Sequence, residues 1–488
     1  MNSVSSADGV TAPIKLARFP QVSIRDLASL AAAFALLCVF RYLHPISGIS
    51  AHGQAVFGVF LWFIVVMVTN CVPRAIVGLT SPLLLVLFAH IPVPQAFNAF
   101  NTNIFFLATG AFLIAAVMMA TPLGKRMALG AASCMKSSRA HKVLTGLFLA
   151  EVAVPILPVV NETALWLPIC KGVESVASGD ARNPQEAARF NTAVYYLIAG
   201  ALPLFIGPLI LTSNFPNLIL VAALKSTMHI DVSWGQWFWL NLPLWGLLPL
   251  LLVYVIRHFR LDRIEMPGAE AGLAALRAEL GPISWAEIWI VAVLAISVLL
   301  WFFAPIKSGM TALLAAFLLF LPVGGIQFDD INRHMLWDVL ILLGGAISLG
   351  TALYHSGIVQ WASTLIAEPL KTSHLPLWAL LTVLVFAFHI PRAGIVSNVA
   401  SATAFVPLAI SLASTLHYNV LPFSLVLIDC MNYALFLPIS VTAFLIAWSV
   451  SRTSAWEAIR FGVPLSVIAN LYVLILEPLW LRAIGFPI

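Results

Sequence analysis

Residues 393–410 read Ala-Gly-Ile-Val-Ser-Asn-Val-Ala-Ser-Ala-Thr-Ala-Phe-Val-Pro-Leu-Ala-Ile. They open a run from Ala393 to Ile428 that holds no Asp, Glu, Lys or Arg, and about 20 mostly apolar residues suffice for a helix to cross the hydrocarbon of a bilayer. The centre of the stretch nevertheless gathers Ser397, Asn398, Ser401 and Thr403 among small residues. Irregular backbone survives at membrane depth only where protein or a watery cavity satisfies its amides and carbonyls. A re-entrant hairpin meets that condition. Its tip exposes amides and hydroxyls, half-helices turn their positive N-terminal ends towards an anion, and freed carbonyls hold a cation. The alternative is that Ser, Asn and Thr merely join helices to one another; a second copy of the pattern elsewhere in the chain favours the site.

The rest of the chain agrees with a membrane setting. Of 488 residues, 61% are apolar and 9% charged, against roughly 25% charged in soluble domains. Charge-free runs recur at Ala75–Gly124, Phe190–Leu224, Val232–Ile256 and Val339–Ala367. They are helix-length and contain scattered Pro and Gly, unlike the alternating ten-residue segments of an outer-membrane barrel. A soluble enzyme, a nucleic-acid module and a disordered scaffold are excluded. The net charge of +5 is small, and its distribution says more than its size. Lys125, Arg126, Lys136, Arg139 and Lys142 form one basic stretch, and Arg257, Arg260, Arg263 and Arg277 another. The positive-inside rule places both, and the amino terminus with Lys15, Arg18 and Arg25, in the cytoplasm of a multi-pass inner-membrane protein. The first apolar run, Leu27–Phe40, reads as a retained span rather than a cleaved signal. The five cysteines have no paired spacing and the histidines no metal-ligand spacing, so neither a catalytic metal site nor an organic cofactor is expected. Trp234, Trp237 and Trp239 read as an aromatic belt.

The expected fold is an all-α polytopic membrane protein with about eleven transmembrane helices and two re-entrant hairpins in an inverted two-fold repeat. Residues 1–26 form a cytoplasmic N-terminal segment. The first half spans 27–256 with a hairpin at 142–172. A polar connector covers 257–284, and the second half spans 285–488 with a hairpin at 374–414. The repeat shows when the halves are overlaid. Gly110-Ala111 before Thr121-Pro122-Leu123 parallels Gly345-Ala346 before Ser356-Gly357-Ile358, at a constant offset of 235. Asn161 before Leu167-Pro168-Ile169 parallels Asn398 before Val406-Pro407-Leu408. Duplicated halves with matching interrupted segments are a pattern of secondary transporters.

Intramembrane charges cost at least ~2.5–3.5 kcal/mol each at a helix centre and are seldom kept without use. Glu162 lies in the first tip and Arg392 six residues before Asn398. Glu151 and Asp429 occupy apolar stretches, while Arg74 and Asp338, near span ends, read as interfacial anchors. Arg392 either binds a substrate carboxylate through its planar fork or pairs with Glu162.

Ser397-Asn398 ahead of a small-residue run and Pro407 resembles the Ser-Asn-Thr hairpin signature of the divalent-anion/sodium symporter family. Trp337-Asp338-Val339-Leu340 with Gly344-Gly345 is similar to the segment before that family's second hairpin. Phe215-Pro216-Asn217 after Gly207-Pro208 is similar to its Pro-Pro-Asn break in the fifth span. The chain departs from the pattern at Val160-Asn161-Glu162-Thr163, at Val399, and at Leu437-Pro438-Ile439-Ser440-Val441-Thr442, which lacks the second Pro-Pro-Asn. The resemblance implies a homodimer with a scaffold and a mobile transport domain that moves di- or tricarboxylates such as succinate or citrate by an elevator-type mechanism. It implies Asn161, Thr163, Ser397, Asn398 and Thr442 around the anion, to which the reading of intramembrane charge adds Arg392. It implies Glu162, Gly207, Asn217, Ser397 and Ser440 around the coupling ion. Sodium symport and anion exchange both stay open, and the missing hydroxyl at the first tip tilts the reading towards exchange or proton coupling. The expected partners are a small organic anion and membrane lipid, with no nucleic acid. A sodium/proton or inorganic-anion carrier of the same superfamily is one alternative. An integral membrane enzyme is another, disfavoured because the acidic residues and histidines are scattered rather than gathered at one face.

Overall fold

The computed structural model describes residues 23–42, 46–134, 139–153, 162–180, 184–265, 274–275, 277–304, 306–395 and 397–488. No β-strand occurs among them. Four apolar helices come first: α1 (Ile24–Tyr42), α2 (Ala51–Thr69), α3 (Arg74–Ala89) and α4 (Asn103–Ala120). Helix α5 (Leu123–Cys134) leads into the first hairpin, whose arms are α6 (Ala140–Ala153) and α7 (Glu162–Asp180). The next passage starts as α8 (Pro184–Val194), continues through a π-helical turn at Tyr195–Ala201, breaks at 207–214 and resumes as α9 (Phe215–Met228). Helices α10 (Trp234–Leu240) and α11 (Leu247–Phe259) return across the bilayer.

The second half repeats the order. After α12 (Trp285–Phe303), α13 (Ser308–Leu319) and α14 (Trp337–His355), helix α15 (Ile358–Thr372) leads to the hairpin arms α16 (Leu377–Arg392) and α17 (Asn398–Thr415). A second broken passage follows as α18 (Val420–Asn432) and α19 (Thr442–Ser451), and α20 (Ala455–Ala483) closes the chain. Four passages therefore precede the first hairpin, five separate the hairpins and two follow, which gives the expected eleven. Among the described residues eight helices are long and apolar enough to cross a membrane, and shorter apolar helices such as α3, α9 and α18 accompany them. Because five is odd, the two hairpins enter from opposite sides. The repeat is inverted.

Packing explains the paired glycines. Helix α14 crosses α3, and α4 crosses α13, so each half lends a helix to the other. A Cβ on Gly345 would stand 2.0 Å from the Gly78 carbonyl oxygen, and one on Gly110 would meet Ala312 at 2.5 Å. Small residues let backbones approach where no hydrophobic drive operates between lipid-bathed helices. The offset of 235 also places Leu123 at the start of α5 and Ile358 at the start of α15; Gly357, at φ +79°, makes the turn into the latter. On the side of the basic clusters, Arg126 binds Glu287 at 2.8 Å and donates to the carbonyls of Leu280, Gly281 and Pro282. That staples the connector to the first half.

The tryptophans correct an expectation. Trp234 and Trp237 are buried rather than interfacial. Trp234 stacks on Trp301 with centroids 5.3 Å apart, and Trp237 donates its indole N–H to the Pro208 carbonyl at 2.9 Å. A carbonyl freed by the helix break finds its donor there. Only Trp239 of the three is exposed.

Candidate functional site

Four helices begin at one place. The cavity they surround holds about 440 Å³ and is lined by Thr163 at the start of α7, Asn214 and Phe215 at the start of α9, Ser397 and Asn398 at the start of α17, and Val441 and Thr442 at the start of α19. Each helix brings unpaired amides and about half a positive charge to its N-terminus, so the cavity is built to receive an anion. It is also lined by Met67, Val68, Asn70 and Arg74 around the junction of α2 and α3, and by Leu336, Val339 and Leu342 at the start of α14.

The second tip is held from behind by Arg392. Its side chain is 2% exposed, although it sits at the end of an otherwise apolar arm. One guanidinium nitrogen donates to the carbonyl of Ile395 and, at 2.8 Å, to that of Ser440 in the broken passage. The other donates to Asn398 Oδ1 at 2.7 Å. Arginine only donates, so Asn398 must turn its oxygen to Arg392, which leaves its amide hydrogens for the cavity. Ser397 caps α17, its hydroxyl accepting from Ala400 N at 3.2 Å.

The first break is held differently. Asn217, fully buried, donates through Nδ2 to the carbonyls of Gly207 and Ile210 at 2.8 and 3.0 Å. Its Oδ1 has no donor among the described residues. The two breaks touch: Asn214 donates to Asn432 Oδ1 at 2.9 Å. Thr163 donates to the Ala199 carbonyl at 3.1 Å, tying the first tip to the π-helical turn. In the second break Ser440 Oγ accepts from Leu437 N at 3.1 Å.

Thr163, Ser397, Asn398 and Thr442 thus share one cavity wall, and Arg392, Gly207, Asn217 and Ser440 stand in the layer behind it. Asn161 lies outside the described residues. Glu162 begins α7, but its side chain also lies outside them, so its pairing with Arg392 does too. Sequence reading passed over three cavity residues. Asn214 and Ser213 flank a break already noticed, and Arg74 sits at a span end where an anchor was expected. A larger cavity of about 970 Å³ opens among Arg189, Arg260, Arg452, Arg460 and Glu457, but no tip or break contributes to it.

The family model described as "Sodium:sulfate symporter transmembrane region" matches residues 25–486. A "Sodium-dependent dicarboxylate transporter SdcS" of Staphylococcus saprophyticus is 26% identical over 447 residues, covering 85% of this chain and 83% of the relative. An "L-tartrate/succinate antiporter" of Shigella flexneri is 26% identical over 417 residues, covering 78% and 82%. The crystal structure of the YdaH transporter of Alcanivorax borkumensis shares the fold at a TM-score of 0.54 and 14% identity, covering 95% of this chain and 98% of that one.

Proposed function

The chain belongs to the divalent-anion/sodium symporter family, through the model of its sodium:sulfate symporter transmembrane region, and from that premise we propose that it carries small organic dianions, of the succinate and tartrate class, by exchanging one anion for another. Its relatives bear the names of a dicarboxylate transporter and a tartrate/succinate antiporter, and membrane transport rather than enzymatic turnover is the work of this family. The observation that carries exchange is the buried guanidinium of Arg392 among the Ile395 and Ser440 carbonyls. Freed carbonyls of this kind are where a transporter of broken helices holds its coupling cation. Here a covalently attached cation takes them, so the second half has no need of sodium, and the fixed charge stays with the site in both orientations.

The anion is held by the amide of Asn398, the hydroxyls of Ser397 and Thr442, and the four helix N-termini, with Asn161 and Thr163 serving from the first tip. The cavity opens beside the ends of α2 and α3 that share a membrane side with the basic clusters, so in an inner membrane with a cytoplasmic amino terminus the structure faces inward. Release to the other side requires the hairpins and broken passages to slide as one body past α1–α4 and α12–α14, an elevator movement, in a protomer of a homodimer. The halves at 27–256 and 285–488 supply one hairpin each to that body. A second reading, symport with a single sodium ion, is favoured by Asn217 Oδ1, a buried oxygen without a donor beside the Gly207 carbonyl. Uptake of labelled succinate into proteoliposomes separates the two. Uptake that needs preloaded dicarboxylate and ignores sodium is the expected result, and uptake only with an inward sodium gradient would replace exchange by symport. Asn398→Ala is expected to abolish either.

A further inference from the structure

The second half carries a pair of carboxyl groups that the anion site does not use. Asp429 on α18 and Glu477 on α20 are both fully buried. Their side chains lie within hydrogen-bonding reach of each other, yet none of their four oxygens finds a donor among the described residues. Carboxylates only accept hydrogen bonds, whereas a protonated carboxyl donates one. Two ionised carboxylates in contact inside an apolar body would combine like-charge repulsion with the desolvation of both. A proton shared between them removes both difficulties.

The surroundings select a proton over a metal ion. One turn away on either helix stand Leu425, Val426, Val473 and Leu481, all buried and apolar. Hard cations gather six or more oxygens, and this site supplies two carboxyls and one phenol. That phenol, Tyr433 Oη, is fully buried, has no hydrogen-bond partner among the described residues and stands close to both acids. Other titratable groups stand on the packed elements. Cys430 is next to Asp429; α20 also carries Tyr472, with Glu457, Arg460 and Arg482 near its ends, and α9 carries Lys225 in its last turn. Helix α16 brings His389, tied to Asn470 Oδ1 at 3.2 Å, and the engaged Arg392; α17 has none, and α11 carries Tyr254, Arg257 and His258. No cation pairs with either acid among the described residues.

The pair is also wired to the anion cavity. Asp429 lies one turn before Asn432, which accepts from Asn214 on the cavity wall, and the carbonyl of Tyr433 accepts from Asn470, the partner of His389. We propose that Asp429 and Glu477 form a proton-binding site that is loaded as the entering dianion binds and emptied before the exchanged anion departs, so that each exchange carries one proton inward and the proton offsets part of the entering charge. Holding one proton, the pair carries one negative charge; holding two, it carries none. This inference rests on the transport reading, and its tests separate the two.

The full chain in proteoliposomes, with a pH dye inside, reports protons and labelled succinate together. Lumenal acidification in step with succinate uptake is expected. The variant Asp429→Asn with Glu477→Gln is expected to lower the ratio of protons to succinate at least tenfold, a ratio that does not depend on how much protein survives. Succinate movement with no pH change in the wild type, sodium moving in place of the proton, or an unchanged ratio in the variant would overturn the proposal. Infrared difference spectra supply an arm that needs no substrate. A protonated-carboxyl band that shrinks as pH rises and is missing in the variant supports the site even if succinate is not the anion carried. A band that persists at every pH marks a permanently locked proton and overturns it.

Discussion

The two helix breaks answer the same physical problem in two ways. Interrupting a helix inside a membrane frees carbonyls that lipid cannot satisfy. In the first half a neutral amide does the work: Asn217 donates to Gly207 and Ile210 and keeps an unpaired oxygen of its own. In the second half a full positive charge does it, because Arg392 reaches from the neighbouring hairpin to Ser440, Ile395 and Asn398. The amide leaves room for a cation beside it; the guanidinium is the cation. Quasi-equivalent places in an inverted repeat have diverged in charge while keeping the same backbone need.

The comparison breaks most sharply at Arg392. Arg392→Ala leaves two carbonyls and an amide oxygen without donors, each charge-assisted bond being worth roughly 1.5–3 kcal/mol. Succinate counterflow is expected to fall on the order of 100-fold or more, by the same bond energies. The residual activity should rise with sodium, which can now enter the emptied carbonyl cluster. A sodium-indifferent residue would show that the guanidinium does not stand in for an ion. Asn217→Ala probes the neutral side. It frees two carbonyls at roughly 1–3 kcal/mol each, and a lower melting temperature with about a tenfold loss of uptake is expected from a penalty of that size. Sodium should not restore it if Asn217 Oδ1 is itself a ligand.

Gly345→Ala tests the scaffold on which both halves lean. Its new Cβ would meet the Gly78 carbonyl, and overpacking of this kind costs about 1–3 kcal/mol. Thermal melting in detergent should drop while the surviving protein keeps the wild-type KM. Ser397→Ala should have the smallest effect. A hydroxyl hydrogen bond to the anion is worth ~1 kcal/mol, so the KM for succinate is expected to rise about fivefold, while loss of the N-cap lowers the melting temperature by a few degrees. An equal shift for Thr163→Ala would mean that the tips contribute alike, and a smaller one that the second tip dominates.

Much of this was legible in the chain before folding. Ser397 and Asn398 stood out because polar residues in a charge-free run must be either satisfied or used. Gly110 and Gly345 betrayed the repeat because helices that cross closely need the same small residue at the same place. The misreadings share one cause. Trp234 and Trp237 were assigned to the interface by residue type, but a break at Pro208 needed a donor and pulled one of them inside. Arg74 is exposed at the start of α3, where an anchor is expected, and it also lines the cavity, which the distance to a span end does not record. Glu477 was hidden in a long final helix, and only its meeting with Asp429 gives it meaning.

The sequence by itself determined the solvent, the helical class, the inverted duplication and the positions of the tips, since those follow from charge-free length, small-residue spacing and local polarity. Tertiary structure alone decided which carbonyls each donor reaches, that four helix N-termini share one cavity, and that two distant carboxyls touch. The physical reason is range. Hydropathy and propensity act over a turn or two of chain, whereas Arg392 and Ser440 are 48 residues apart and Asn214 and Asn432 are 218 apart, and only the packing of whole helices brings such groups within 3 Å.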